Sequence, residues 1–254
     1  MPRIITTVSE WRSRLADLRA AGRTLGFVPT MGALHPGHAS LFVAAKRDCD
    51  QVLASVFVNP TQFDDRSDFD RYPRTWEADC ALMDAAGVSW VFAPSYDEMY
   101  PGGVHYTVNE DEFSRQLCGA HRPGHFTGVL TVVMKLLQIA DADRAYFGEK
   151  DFQQLQLIRG MASAFFLRTK IVACPTVREE DGLAMSSRNT RLGTADRALA
   201  PRFAAVLREA PSAEQARAAL IEAGFQVDYV EEQYSRRFGA VRLGPVRLID
   251  NVAR

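Results

Sequence analysis

Cysteine is scarce and scattered. The chain has four, Cys49, Cys80, Cys118 and Cys174, and no two form a C-x-x-C pair. That spacing argues against a metal cluster and against a disulfide scaffold, and it leaves four reduced, mostly buried thiols. An excess of either charge is also missing: 30 basic against 31 acidic residues give a net charge of −1. A chain this close to neutral has no overall field to hold a polyanion, which speaks against dedicated DNA or RNA binding but allows a local basic pocket for a small phosphate. Long apolar runs are absent. The most apolar stretch, Val129–Ala140, is interrupted by Lys135 and Gln138 and is too short to span a bilayer. The opening MPRIITTVSEWR lacks the apolar length of a signal peptide, so the expected location is the cytoplasm, away from any membrane. No internal repeat or low-complexity tract occurs. With 254 residues, 47% hydrophobic and 24% charged, the chain is long enough for one large or two modest domains with a real core.

What is present alternates. Thr7-Val-Ser-Glu10 reads as a capping box, Trp11, Leu15 and Leu18 share a helical face, and Gly22 supplies the stop. Thr24–Val28 reads as a strand, Ala39–Arg47 as a helix and Gln51–Val58 as a second strand, which together make a βαβ unit. The alternation continues through a helix at Thr75–Ala86, a strand at Val88–Phe92, a helix at Val129–Gln138, a strand at Arg144–Phe147, a helix at Asp151–Met161 and a strand at Lys170–Ala173. This order predicts an α/β, Rossmann-like, doubly wound parallel sheet. Beyond Pro175 the pattern changes. Arg178–Arg191 is polar and loop-like, Ala195–Ala223 is helical with a break near Pro211, and Gln226–Val230 and Val246–Ile249 read as short strands. The expected division is a nucleotide- and substrate-binding domain over 1–176 and a small α+β lid domain over 177–254.

Four constellations carry chemistry. Pro29-Thr-Met-Gly-Ala-Leu-His-Pro-Gly-His38 sits where a strand gives way to a helix. A helix start offers free N–H groups and partial positive charge to a phosphate, and glycines let backbone approach a ligand. His35 and His38 add donors that need not carry full charge; a surface pair or a metal site are the plainer readings of the same spacing. Gly148-Glu-Lys-Asp151 follows another strand, with Lys150 as a point charge for phosphate oxygens and an acidic neighbour suited to ribose hydroxyls, or simply a charged helix start. Met185-Ser-Ser-Arg188 makes a compact triphosphate cradle or a polar linker. Asn59-Pro-Thr-Gln62, with Gln154 on a later helix, offers neutral hydrogen-bonding groups at strand ends, which suit a small hydroxylated substrate or no more than a turn.

Taken together, PTMGALHPGH, SVFVNPTQF, DFDRYPRT, RPGHFTGV, YFGEKDFQQ and VREEDGLAMSSRN resemble the pantothenate synthetase (pantoate–β-alanine ligase) family. The resemblance runs from about Thr24 to Arg191, with an echo in VDYVE and RLIDN near the C-terminus; the H-x-G-H element alone is shared with the wider nucleotidylyltransferase superfamily. Against that family the segment between Val230 and Arg247 looks abbreviated and Arg-rich.

The resemblance implies two half-reactions: pantoate carboxylate attacks the α-phosphorus of ATP, and the amine of β-alanine then attacks the acyl adenylate. It places His35 and His38 on the phosphates, with Lys150, Ser186, Ser187 and Arg188 on the β- and γ-phosphates. Met31, Gly32, Ala33, Leu34, Pro36, Gly37, Gly148, Glu149, Asp151, Val177 and Met185 complete the nucleotide site. Gln62, Gln154, Asn59 and Arg122 fall to pantoate and β-alanine. Mg²⁺ travels with ATP, with Asp79 as an outer partner, and Tyr72 and Arg74 form a flap. The implied assembly is a homodimer. A nucleotidylyltransferase acting on a phosphate, or a nucleotide-binding module without catalysis, are the competing functions. His121 and His125 read as loop residues near pantoate, Trp11, Trp76 and Trp90 as packing, and Arg236, Arg237, Arg242 and Arg247 as a solvated face.

Overall fold

The computed structural model describes residues 1–64 and 69–254. Asp68, which opens the DFDRYPRT motif, lies outside the described residues. Six parallel strands form the main sheet: β1 (Arg3–Ile5), β2 (Leu25–Thr30), β3 (Gln51–Val56), β4 (Trp90–Phe92), β5 (Arg144–Gly148) and β6 (Lys170–Cys174), in the order β1-β4-β3-β2-β5-β6. The helices α1 (Val8–Ala20), α2 (Pro36–Asp48), α3 (Trp76–Ala85), α4 (His125–Ala140) and α5 (Phe152–Ala164) cover it. The doubly wound expectation holds, with β1 added at an edge where the sequence offers only three residues.

Strand alternation assigns each side chain to one of two cores. Phe27, Leu53, Phe92 and Ala145 pack with Trp11 and Leu15 of α1, Val129 and Leu136 of α4 and Leu155 of α5. Their neighbours Val28, Val52, Val91 and Tyr146 pack on the opposite face with Phe42 and Ala45 of α2 and Met83 of α3. The capping box is half-made: the Thr7 hydroxyl accepts from the Glu10 amide at 3.3 Å. Of the three tryptophans, Trp11 and Trp90 are buried and meet edge to face, whereas Trp76 is 39% exposed.

The strand order reverses between β2 and β5. There the pairing is short: only Gly26–Arg144 and Phe27–Ala145 are in register, against six registered pairs between β2 and β3. Pro29 has no amide hydrogen for a ladder, and the pairing stops before it. The two strands therefore part toward their carboxyl ends, which opens a crevice at the topological switch point.

The C-terminal part forms a separate antiparallel sheet of β7 (Gln226–Gln233), β8 (Arg236–Leu243) and β9 (Val246–Ala253), backed by α6 (Pro201–Glu209) and α7 (Ala213–Glu222). Phe203, Leu207 and Leu220 of these helices pack on Val241, Leu243, Val246 and Leu248. The sequence reading missed β8, and its arginines correct the expectation of a solvated face. Arg237 is fully buried, donating to Glu232 at 2.6 and 2.8 Å and to the Leu207 and Ala210 carbonyls that end α6. Arg236 and Arg247 are mostly buried as well, each in an ion pair, and only Arg242 remains well exposed.

One close approach fixes the site side of α4. A Cβ on Gly128 would lie 2.3 Å from the Thr61 carbonyl oxygen and 2.8 Å from the Gln62 Cα. Both are backbone atoms, so the helix or the turn would have to move. Gly128→Ala is expected to destabilise the fold by about 1–3 kcal/mol or more, measured by chemical denaturation. Wild-type stability would show that the Thr61–Gln62 turn yields freely.

Candidate active site

The ends of β2, β3 and β5, the start of α5 and the loop after β6 converge on one cleft of about 410 Å³. The segment after β2 contributes Met31 and His38, and the turn after β3 contributes Gln62. Gly148, Lys150 and Asp151 follow β5, Gln154 lies on α5, and Ser186 and Arg188 come from the later loop. Arg122 and Tyr72 also face this space. The remaining candidates, Gly32, Ala33, Leu34, His35, Pro36, Gly37, Asn59, Glu149, Val177, Met185 and Ser187, do not line the cleft, and Pro36 is exposed. Arg74 lies over the Phe69 ring, 5.6 Å from its centre, next to the Phe63–Tyr72 pair.

The expectation of free amides at the start of α2 is corrected. Gly32 donates to the Thr30 hydroxyl at 3.2 Å, and Ala33 and Leu34 donate to the two carboxylate oxygens of Asp79 at 3.0 and 2.8 Å. The amides of His35 and Gly37 donate to His38 Nδ1 and His35 Nδ1, and that of His38 to the His35 carbonyl. Pro36 has no amide hydrogen. Every amide from 32 to 38 is thus taken internally, and the two imidazoles inherit the role of donor.

Their protonation follows from this arrangement. Each Nδ1 accepts a hydrogen bond, so each neutral ring carries its proton on Nε2. The rings lie 4.1 Å apart. Burial, and then the neighbouring His35, push His38 down to about 3. His35 is also lowered, by burial and then by Lys150. Both are neutral N–H donors at physiological pH. Gly37 is required for the packing: a Cβ there would lie 2.8 Å from His35 Cε1 and 3.6 Å from Met185 Cβ, which marks where the later loop meets α2.

The second region is held by neutral amides. Gln62 Nε2 reaches Met31 Sδ at 3.0 Å, and its Oε1 accepts from Asn59 at 3.2 Å. Asn59 is buried, and it also donates to the Gly128 carbonyl and accepts from Tyr100 and Thr61, so it orients Gln62 instead of facing a ligand. His125 Nδ1 donates to the Gln62 carbonyl at 2.8 Å while its Nε2 accepts from Arg122 at 3.1 Å. Burial and then Arg122 push His125 down to about 4. Arg122 is itself paired with Asp64 at 2.6 Å.

Three further placements revise the sequence reading. Asp79 is buried with both oxygens on the loop amides and the Thr75 hydroxyl, which makes it a clamp on the β2–α2 loop. Glu149 turns away from the cleft to pair with Arg236 at 2.7 Å. Ser186 caps the turn Ser187–Arg191 by accepting from the Arg188 amide at 3.2 Å. Among the described residues no cluster of three or more His, Cys, Asp or Glu side chains could hold a metal, which includes His121, stacked on Tyr229. No helix among those residues is long and apolar enough to cross a membrane. Sequence reasoning missed Arg178, Asp250 and Asn251 near the cleft. Two adjacent polar residues between Ile249 and Val252 were the available signal for the last two.

The fold and the site define a Rossmann-like α/β protein with a polar, histidine- and arginine-lined cleft at its switch point. A family model described as pantoate-beta-alanine ligase matches residues 3–253, and the chain belongs to that family. Pantothenate synthetases from Bdellovibrio bacteriovorus and from Legionella pneumophila strain Lens are 51% and 47% identical, with 99% and 98% of each chain aligned. The crystal structure of the pantoate-beta-alanine ligase from Francisella tularensis, complexed with beta-gamma ATP and beta-alanine, superposes with a TM-score of 0.94. It is 39% identical and covers 100% of this chain and 98% of its own. That of the Thermus thermophilus pantothenate synthetase gives 0.89 at 41% identity, covering 99% of each chain. The segment between Val230 and Arg247 holds the end of β7, all of β8 and the start of β9.

The depressed histidines tie stability to pH. His38 and His125 titrate near 3 and 4 when folded, against an ordinary 6.5 when unfolded. Between those values the unfolded chain binds more protons, so stability is complete above about 6.5 and is lost as pH falls toward 4. Denaturation midpoints are expected to fall over that window, with a shallower slope in His125→Asn. An unchanged slope would show that His125 binds its proton equally in the folded and unfolded chain.

Proposed function

We propose that the chain condenses (R)-pantoate with β-alanine through a pantoyl-adenylate, releasing AMP and pyrophosphate. The observation that supports this reading is the composition of the single cleft. The His38 imidazole, an ammonium from Lys150, a hydroxyl from Ser186 and a guanidinium from Arg188 line the same cleft as the carboxamides Gln62 and Gln154. Arg122, which lies against Gln62, is paired with Asp64 and not held for an acceptor phosphate, which disfavours a nucleotidylyltransferase acting on phosphate.

In the first step the pantoate carboxylate attacks the α-phosphorus and pyrophosphate leaves. His38 Nε2–H donates to the α-phosphate as its charge grows, with His35 behind it. Lys150, Ser186 and Arg188 hold the β- and γ-phosphates and the departing pyrophosphate, and Ser187 fixes the turn that presents them. Gly148 and Asp151 take the ribose, and Met31 and the Val177–Met185 backbone flank the nucleotide. Gln62 and Gln154 hold the pantoate hydroxyls and carboxylate. In the second step the β-alanine amine attacks the acyl carbonyl and AMP leaves. Neither step needs a covalent enzyme intermediate, so the protein's task is alignment and charge stabilisation, worth about 7–11 kcal/mol at most for the alignment. With Asp79 committed to the loop, magnesium enters with the nucleotide as part of the substrate, on phosphate and water oxygens.

The same reading takes residues 177–254 as a lid domain over residues 1–176 and the working form as a cytoplasmic homodimer. Tyr72 and Arg74 belong to the flap that shields the adenylate from water.

Isotope exchange between pyrophosphate and ATP tests the reading. Exchange that requires pantoate is expected; exchange driven by a phosphorylated acceptor, or none at all, would overturn it. Lys150→Ala should lower pantoate-dependent exchange by about a hundredfold, the effect of losing roughly 3 kcal/mol of charge stabilisation. Gln62→Ala should raise the KM for pantoate far more than that for ATP, and equal losses would remove Gln62 from the pantoate site.

A further inference from the structure

The RLIDN run near the C-terminus has no part in the chemistry above, yet Asp250 and Asn251 are both buried and both border the cleft. They are consecutive on β9, so their side chains leave opposite faces of the strand. Their neighbours on β9, Leu248 and Val252, are apolar core. Two adjacent polar side chains in such a strand cost stability unless their bonds are fully made.

Those bonds reach the two loops that face the cleft. Asp250 receives a two-pronged contact from Arg178, Nη1 at 2.7 Å and Nη2 at 3.1 Å. Arg178 opens the segment that leads to Ser186 and Arg188, and its Nη1 also donates to the Gly182 carbonyl. Asn251 Nδ2 donates to the Glu149 and Lys150 carbonyls at 2.9 and 3.0 Å. Its Oδ1 accepts from Arg236 at 2.7 Å, and Arg236 in turn pairs with Glu149 and lies 4.4 Å over the Phe152 ring. The Asn251 amide donates to Asp250 Oδ1 at 2.8 Å, which joins the two halves.

We propose that Asp250 and Asn251 are positioning residues: one strand of the second sheet ties down both the Lys150 turn and the Ser186–Arg188 loop, and so sets the spacing of the groups that grip the phosphate chain. The proposal rests on the reading of Lys150 as a phosphate ligand and goes beyond it by making the second sheet the reference for that grip. The Arg178–Asp250 pair adds no net charge to the cleft, so its contribution is geometric.

The test is steady-state kinetics and ATP titration calorimetry on Asn251→Ala in the full chain. A displacement of the Lys150 turn should lower kcat/KM for ATP by about tenfold to a hundredfold and leave the KM for pantoate at its wild-type value. A purely structural role would lower the melting temperature and the fraction of active enzyme and leave the KM for ATP of the surviving fraction unchanged; that result overturns the proposal. If Asn251→Ala does not fold, Arg236→Lys, which keeps the charge and loses the fork between Asn251 and Glu149, carries the same expectation. The double variant with Lys150→Ala separates the two readings. If Asn251 acts through Lys150, adding Asn251→Ala to Lys150→Ala should weaken ATP binding little further, whereas additive losses overturn the positioning role alone. No change in ATP affinity on Lys150→Ala by itself overturns the phosphate reading and, with it, this one.

Discussion

β2 and β5 are hydrogen-bonded neighbours at only two registered positions, and beyond Phe27 and Ala145 they separate. The crevice exists because of that separation. Connections leave these two strands toward opposite edges of the sheet, so no crossover covers the space between their carboxyl ends. The segments that follow them, Met31–His38 and Gly148–Asp151, are therefore brought opposite each other by topology. The turn after β3 arrives beside them through the full pairing of β2 with β3, and Gly128 allows α4 to press against it. A close contact between helix and turn backbone thus carries the sheet geometry through to Gln62.

Within that crevice the protein sets neutral hydrogen-bonding groups among charged ones of both signs, including Asp64, Arg122, Lys150, Asp151 and Arg188. The loop before α2 closes on itself: Asp79 takes two amides, and the histidines take those at the helix start. Closing the loop in this way fixes the tautomer of both rings and directs Nε2–H outward. Burial then keeps them uncharged, and His38 lines the cleft together with Lys150 and Arg188. His125 repeats the logic on the other side. Its two nitrogens hold opposite roles between a carbonyl and a guanidinium, and that difference defines its protonation and braces Gln62.

The second sheet is more than a cover. Three of its four arginines are spent inward: Arg237 on the end of α6, Arg236 on Glu149 and Asn251, and Arg247 on Asp228. A guanidinium can be buried when its donors are met by carboxylates and helix-end carbonyls, and here those acceptors lie on elements other than the arginine's own strand. The family relationship and the long alignments to pantothenate synthetases agree with a C-terminal sheet of this size.

Periodicity and punctuation alone determined the alternation of strands and helices through Cys174, because a buried parallel strand and an amphipathic helix each leave a local signature. The same local signals found His38, Lys150, Gln62 and the Ser186–Arg188 loop, since these residues sit at strand ends where Gly, Pro and polar residues break the pattern. β8 escaped, because its turn has Tyr234 and Ser235 at positive φ with no Asn-Gly to announce it, and because its arginines imitate a surface. Which candidates face the cleft was settled only by folding. Asn59, Asp79 and Glu149 have the chemistry of ligands, but each is consumed by a partner far along the chain: Gly128, the loop after β2, and Arg236. A sequence states what a side chain can bond to; which partner reaches it first depends on where tertiary packing puts the competing donors.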